Sequence, residues 1–551
     1  MNNLTTSLQA IGNSLDDKDI LLQGQMIESL GQYAIAVGRD SFSPFLNFAM
    51  TTVIDIIKSQ IVVDGPGLEF AFVFVANIAK AMEGDATYHS YVDIVYPYLQ
   101  RNALEGFSEN NQVAALTAIG SLARFMCGSF DKYLDSSNEV VSVALTSPNP
   151  MVQSAALKIL PFFVVVAGTA CGCSNPAHTK GKMLKISGKL SVTLNRVMDW
   201  LWNTISTHID MPTVMSALEA LKCVIDYCGI VSMSIRELKS FQTFDELYKV
   251  KLLEYLNENA PCQRARLSEN DEDGEDDHHD RLVLPSVCDV IEALAKASGD
   301  QYLATFELYI PLLMKFTDES KSFSASSMVV GCFANSMSEM GPSAMQHVDL
   351  ILPVLQRDCM DEMEENRRNA CFCLAVVIEG LSTDALQLYI PRFLDWLLPL
   401  VVRNSSNVKS GDNGDADVDN AVAAVCRIIS KCPCHEEIPK LLPMIVAALP
   451  LTSDHSENES VFAMLTMIVS SSVTAPHTII SFIDILKAFV HAIHSDSPCP
   501  KGVSKSVKAC LRFLSSPEYK GSLDLKSSMQ SLPLSDCTVI SDALLEDEAL
   551  R

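Results

Sequence analysis

Apolar positions recur along this chain at three- and four-residue steps, in segments of 15 to 22 residues punctuated by Gly, Pro, Asn and Asp. Steps of that size line one face of an α-helix, and the two-residue alternation of a half-buried strand is nearly absent. The pattern predicts an all-α protein. After Val214, the residues Ala217, Leu218, Leu221, Val224 and Ile225 fall at +3, +4, +7, +10 and +11, one continuous helical face. Val418 is followed at the same offsets by Ala421, Val422, Val425, Ile428 and Ile429, and Val152 by Ala155, Ala156, Ile159, Phe162 and Phe163.

Shorter versions of this face follow Gln23, Leu68, Ala115, Val287, Ser326, Arg367, Val461 and Val503. The eleven anchors are separated by 45, 47, 37, 62, 73, 39, 41, 51, 43 and 42 residues, and seven of these intervals lie between 37 and 47. Such an interval holds two antiparallel helices and two turns. A second helix, often carrying proline, is predicted between anchors: Gln301–Thr317 with Pro311, Ala344–Arg357 with Pro353, Ala385–Arg403 with Pro391 and Pro399, and Ile438–Leu449 with Pro443. A recurring pair of this kind is the HEAT pattern. It predicts an α-solenoid of about 11–12 HEAT repeats, with residues 1–551 as one continuous array.

Local signals agree with the repeat. Small residues at +3 and +4 let adjacent helix pairs approach closely. Asn149 before Pro150, Asp210 before Met211-Pro212 and Asp417 before Val418 read as helix starts. The three long intervals each locate an insertion, at 168–182, 261–280 and 404–417, expected to project from an edge of the array.

Composition narrows the function classes. With 48% apolar and 20% charged residues the chain has ample material for a core and no case for general disorder. The excess of 67 Asp and Glu over 41 Lys and Arg, a net charge of −26, repels phosphate backbones and acidic membrane surfaces and attracts basic partners. Neither nucleic acid nor membrane is therefore expected as the primary partner. The mean hydropathy of +0.19 directs attention to the run Ile159–Cys173, which falls short of the roughly 20 residues of a spanning helix and reads as a buried one. The first residues show no basic-then-apolar secretory pattern. Seventeen cysteines are scattered rather than framed, with Cys223, Cys332, Cys371 and Cys510 on apolar helical faces, which fits a reducing compartment, cytosol or nucleus.

Candidate chemistry is sparse. The densest charge is the segment Glu269–Asp280, where Glu269, Asp271, Glu272, Asp273, Glu275, Asp276, Asp277 and Asp280 occur with no Lys or Arg. Such a run stays extended and solvated, either as a linker or as a loop that engages a basic partner. His278 and His279, the group Cys171, Cys173 and His178, and the group Cys432, Cys434 and His435 lack the paired spacing of a metal site, so no metal or cofactor is expected. There is no phosphate-binding glycine loop, no HExxH (His435-Glu436-Glu437 is the near miss) and no serine elbow, so no enzyme is predicted. The basic stretches Lys180–Lys189 and Lys501–Arg512 carry no interleaved aromatics for stacking bases.

Several stretches carry a family resemblance. Val418–Ile429, IPKLLPMIVAALPLTSD (438–454) and ENESVFAMLTMIV (457–469) resemble the C-terminal repeats of importin-β-family nuclear transport receptors, in the branch of importin-four and importin-five and their yeast relatives. MIESLGQYAIAVGRDSFSPFL (26–46), SFSASSMVVGCFANSMSEMG (322–341) and ENRRNACFCLAVVIEG (365–380) agree in order, and the acids at 268–280 sit where importin-five-type receptors carry an acid-rich stretch. Val418 departs from the usual lead-in and the glycine common in the 365–380 helix is missing. The resemblance runs over nearly the whole chain but only over the C-terminal half of a receptor about twice as long.

The resemblance implies a non-enzymatic receptor that shuttles between cytoplasm and nucleus. It would bind basic cargo proteins with nuclear-localisation signals on an acidic concave face and phenylalanine-glycine (FG) nucleoporins in clefts between helices. The acids of Glu269–Asp280 would contact cargo or the GTPase Ran, whose binding stays open because the family's N-terminal Ran-binding repeats have no counterpart in the stretch. The alternative is a HEAT-repeat scaffold subunit of a phosphatase or another multiprotein assembly.

Overall fold

A computed structural model describes residues 20–545 apart from 62–63, 107, 174–187, 234–243, 268–275, 319–322, 404–414, 434, 472–473 and 495–496. Among the described residues there are helices and turns and no strand. The chain divides into two compact units, Met1–Gly299 and Asp300–Arg551.

The first unit contains α1 (Ile20–Val37), α2 (Arg39–Gln60), α3 (Gly67–Ala81), α4 (Ala86–Glu105), α5 (Glu109–Met126) and α6 (Leu134–Ala144). It continues with α7 (Pro150–Ala170), α8 (Lys189–Thr207), α9 (Met211–Cys228), α10 (Phe244–Leu256), α11 (Pro261–Leu267) and α12 (Asp276–Ser298). The helices that carry the repeated apolar face, α1, α3, α5, α7, α9 and α12, stack in that order, each on the next. The intervening helices pack behind them, so each unit is two layers deep.

The second unit has the same plan. Its helices are α13 (Leu303–Leu313), α14 (Phe323–Met340), α15 (Val348–Asp358), α16 (Glu364–Gly380), α17 (Thr383–Arg403) and α18 (Ala416–Lys431). They are followed by α19 (Ile438–Ala447), α20 (Asn458–Ser470), α21 (Phe482–Ile493), α22 (Lys501–Ser515), α23 (Leu525–Met529) and α24 (Leu534–Leu545). Here α14, α16, α18, α20 and α22 form the stack. Every one of the eleven sequence anchors lies in a stacked helix, and most of the face it begins is buried, as Val214, Ala217, Leu218, Leu221, Val224 and Ile225 show in α9; Phe513, at the end of the face begun by Val503, is exposed.

Proline shapes two of the intervening helices. A proline inside a helix removes a backbone donor and crowds the preceding turn. Pro311 accordingly sits three residues before α13 gives way to the 3-10 turn Met314–Thr317, and the predicted helix Gln301–Thr317 is an α-helical centre between two 3-10 turns. The predicted Ala344–Arg357 likewise opens as a 3-10 turn, Gly341–His347, before α15.

Close stacking sets one glycine. A Cβ built on Gly120 of α5 would lie 2.3 Å from Cγ2 of Ile159 in α7, inside any tolerable contact, so no side chain fits where these helices meet.

Three sequence expectations need correction. Asn149 and Asp210 do cap α7 and α9, accepting from the amides of Met151 and Thr213, but Asp417 is not a cap. It lies inside α18, fully buried, accepting at 2.6 Å from Arg367 Nε and at 2.8 Å from Arg403 Nη2. A carboxylate 50 residues from one guanidinium and 14 from the other forms a pair that only the stacking creates. The apolar run Ile159–Cys173 belongs to α7, whose 21 residues are long and apolar enough to cross a membrane. Packing rather than length explains its apolarity, because α7 lies between α5 and α9 with α6 and α8 behind it. Cys332, Cys371 and Cys510 are buried as expected, whereas Cys223 is exposed on the outer side of α9. All described cysteines are free thiols.

Candidate functional site

Within each unit a stacked helix is covered by its stacked neighbours, on both flanks or, at the ends of the stack, on one, and on its back by an intervening helix, which leaves one stripe open. Positions seven apart mark it, because two helical turns return to nearly the same face. In α5 the stripe holds Thr117 and Arg124, in α7 Met151 and Lys158, in α9 Pro212 and Glu219, and in α12 Asp289 and Lys296, all exposed. Side chains from successive helices therefore form a surface that no single helix supplies.

Its charged centre spans α9 and α12. Asp226 accepts from Lys222 at 3.1 Å and from Lys296 at 3.4 Å, so one carboxylate links two stacked helices. Asp289 adds a further carboxylate on the α12 side, within electrostatic reach of Glu219, Lys222 and Asp226. Partial desolvation raises the Asp289 carboxyl above its ordinary value; Lys222 pulls it back, while Glu219 and Asp226 push it further up. A cation placed among these carboxylates would relieve that repulsion. The cluster thus sets the carboxylates of Glu219, Asp226 and Asp289 around the ammonium groups of Lys222 and Lys296.

Three of the eight acids singled out from sequence belong to α12. Asp276, Asp277 and Asp280 fall in the first turns of α12, which continues without a break to Asp289. Glu269, Asp271, Glu272, Asp273 and Glu275 lie outside the described residues. The insertion that contains them, expected at 261–280, begins as the helix α11 over Pro261–Leu267. Of the other two insertions, 168–173 ends α7 and its turn while 174–182 lies outside the described residues, as does 404–414 between α17 and α18. Of the metal candidates, Cys171, Cys173, Cys432 and His435 are described, while His178 and Cys434 are not; among the described residues no three His, Cys, Asp or Glu side chains gather as a metal site. Glu219, Asp226 and Asp289 escaped the sequence reading, although Glu219 and Asp226 carry the seven-residue spacing that marks one helical face.

A second feature lies in the other unit, between the intervening helices α19 and α21. A cleft of about 460 Å³ there is lined by Val446, Ala447, Phe462, Ile480 and Ala488, with the ion pair Lys487–Asp484 (2.7 Å) and His491 at its rim. Burial, then His494 and His455, hold His491 below the usual histidine range, which favours its neutral form. Ile480 stands 91% exposed at the mouth. The cleft is a shallow apolar slot suited to a bulky side chain.

No family model matches the chain. Human (Homo sapiens) importin-4 is 26% identical over 430 residues, 78% of this chain and 37% of that protein. Mouse (Mus musculus) importin-4 is 26% identical over 399 residues, 72% of this chain and 35% of the relative. The chain thus spans little more than a third of the length of these relatives.

Among solved structures, the karyopherin Kap121p bound to the SUMO protease Ulp1p superposes with a TM-score of 0.67 at 15% identity, covering 98% of this chain and 50% of that one. Kap121p bound to RanGTP and Kap121p bound to Nup53p give 0.62 and 0.64, each at 15% identity and over 98% of this chain and 49% of theirs. The karyopherin fold of stacked HEAT repeats read from the sequence is borne out, and so is the resemblance to importin-4 and its relatives.

Proposed function

We propose that this chain, related in sequence to importin-4 and in fold to the karyopherins, acts as the C-terminal part of an importin-β-type nuclear import receptor. It works by binding and release, without catalysis, and moves between cytoplasm and nucleus. The observation that carries the reading is the open face of α9 and α12, where Glu219, Asp226 and Asp289 come together in a chain of net charge −26. A lysine-rich nuclear-localisation segment laid across successive helices meets carboxylates from more than one repeat, which gives fast and salt-sensitive association. The acids of Glu269–Asp280, which in the sequence run into the start of α12, add to the same negative charge. The cleft between α19 and α21 takes a phenylalanine side chain of an FG nucleoporin, an apolar contact weak enough to be released. The solved complexes of Kap121p with Ulp1p, RanGTP and Nup53p support a receptor with cargo, GTPase and nucleoporin partners.

The test is fluorescence anisotropy of a labelled lysine-rich nuclear-localisation peptide against the full chain. Binding is expected in the micromolar range or tighter at about 50 mM salt, weakening steeply as salt rises and the Debye length shrinks. Reversing two charges, Asp226→Lys with Asp289→Lys, is expected to weaken it at least tenfold. Absence of binding by the unaltered chain at low salt would remove the proposal. Adding GTP-loaded Ran to the preformed complex shows whether this part of the receptor responds to the GTPase.

A further inference from the structure

The open face carries a second feature of opposite character. Across α5, α7 and α9 runs a groove of about 810 Å³. Its floor lies where Gly120 lets α5 approach Ile159 of α7, and its walls are the side chains of Phe125, Phe162, Met151 and Met215. Met151 is 59% exposed, so its side chain is open to whatever enters the groove. Methionine is unbranched and adapts its shape to whatever it meets, which suits a surface that accepts a peptide.

Two of the three charged side chains at this groove are positive. Arg124 and Lys158 line it from α5 and α7, and among the described residues neither is paired with a carboxylate. The Arg124 guanidinium lies 5.2 Å from the ring centroid of Phe125 and 5.5 Å from that of Phe162, and so stands over the aromatic wall of the groove. An acidic chain with 67 carboxylates has left two cations beside apolar surface without an internal partner. Glu219, from α9, is the single acid lining the groove.

We infer that this groove docks a peptide segment in which carboxylates alternate with bulky apolar side chains. Leu or Phe side chains of the segment fill the slot between Phe125, Phe162 and the two methionines. Its carboxylates meet Arg124 and Lys158, which gain there the counter-charge the protein does not supply. The acid at the α9 side sets a direction, because the acidic end of the segment is repelled from Glu219 and drawn toward α5 and α7. A lysine-rich segment of the kind proposed above is repelled by the same two cations, so the groove and the acidic patch select different sequences on one face.

The experiment uses the full chain and a short fluorescein-labelled peptide with Leu and Phe at helical spacing among Glu residues, followed by anisotropy. Saturable binding is expected. The paired substitution Arg124→Glu with Lys158→Glu is expected to weaken it at least tenfold while circular dichroism stays unchanged. A peptide with Lys in place of Glu is expected to bind that variant better than it binds the unaltered chain. The lysine-rich nuclear-localisation peptide, measured on the same variant, is expected to bind as well as before or better, so failure of the acidic peptide and failure of the basic one are separate results. No binding of the acidic peptide, or equal affinity for the charge-reversed variant, overturns the inference. So does binding of phosphatidylserine vesicles or a single-stranded oligonucleotide that the same substitution abolishes when the peptide itself does not bind.

Discussion

The two units are built from the same stacked repeat, yet they use their charges differently. In the first unit, Arg124, Lys158, Glu219 and Asp289 face outward from α5, α7, α9 and α12. In the second, the charged residues around α18 turn inward and join repeats to one another. Asp417 holds Arg367 and Arg403; Arg427 donates to Glu379 and Glu457 at 2.6 Å each. Asp419 accepts from the backbone amides of Thr452, Ser453 and Asp454, closing the turn before α20. Almost all of α18 is buried as a result, Asp417 and Asp419 included. The contrast teaches that charge in a repeat array has two roles. Facing out it is open to a partner, and facing in it joins one repeat to the next.

The contrast can be broken or sharpened by substitution, and the largest effect is expected inside the second unit. Asp417→Ala removes the partner of two guanidiniums, and breaking a buried pair in this way costs about 3–5 kcal/mol. Hydrogen exchange is expected to show lost protection across α16 to α18 and none across α5 to α9. A loss spread evenly over both units would contradict the division of roles.

The next effect lies in the first unit and is steric. Gly120→Ala forces a methyl group against Ile159 and is expected to destabilise by about 1–3 kcal/mol in urea unfolding, less the gain in helix propensity. Combining it with Ile159→Ala, which removes the opposing atoms, should give a loss smaller than the sum of the two single losses.

Charge reversal on the open face should barely move stability. Asp289→Lys is expected within about 0.5 kcal/mol of the unaltered chain, against the large loss for Asp417, because an exposed surface site leaves nothing buried unpaired. Its effect appears in peptide affinity instead.

The smallest effect is in pH dependence. The Asp289 carboxyl titrates above the ordinary value, so as pH falls it takes up its proton before an ordinary carboxylate does and loses its attraction for lysine. Affinity for the basic peptide should therefore begin to fall at a higher pH in the unaltered chain than in Asp289→Asn, which has no such group to lose. Coincident pH profiles would show that Asp289 takes no part.

Much of the fold was legible because a 3.6-residue period is a one-dimensional record of a buried face. The run from Val214 to Ile225 needs only its own sequence to declare which side of α9 is apolar. Asn149 and Asp210 were legible for the same reason, since a cap acts within three residues. Asp417 was misread because the same local rule has no access to Arg367, 50 residues away. Cys223 was misplaced because its neighbours are apolar on one side only, and position along the helix does not say on which side of that border it falls.

The candidate sites were less legible still. The conspicuous acid run at 269–280 announced itself by density, whereas Glu219, Asp226 and Asp289 are ordinary surface acids until α9 and α12 are laid side by side. Arg124 and Lys158 are likewise unremarkable in separate helices.

The sequence by itself determined the helices, their repeat and their apolar faces, because these follow from spacing within a few turns of chain. Only the tertiary structure decided which stripe of each helix stays open, which carboxylates become structural and which cations are left without partners. Those outcomes depend on contacts between residues some 40 to 70 positions apart, as in Lys296 with Asp226, and no local pattern encodes the distance between them.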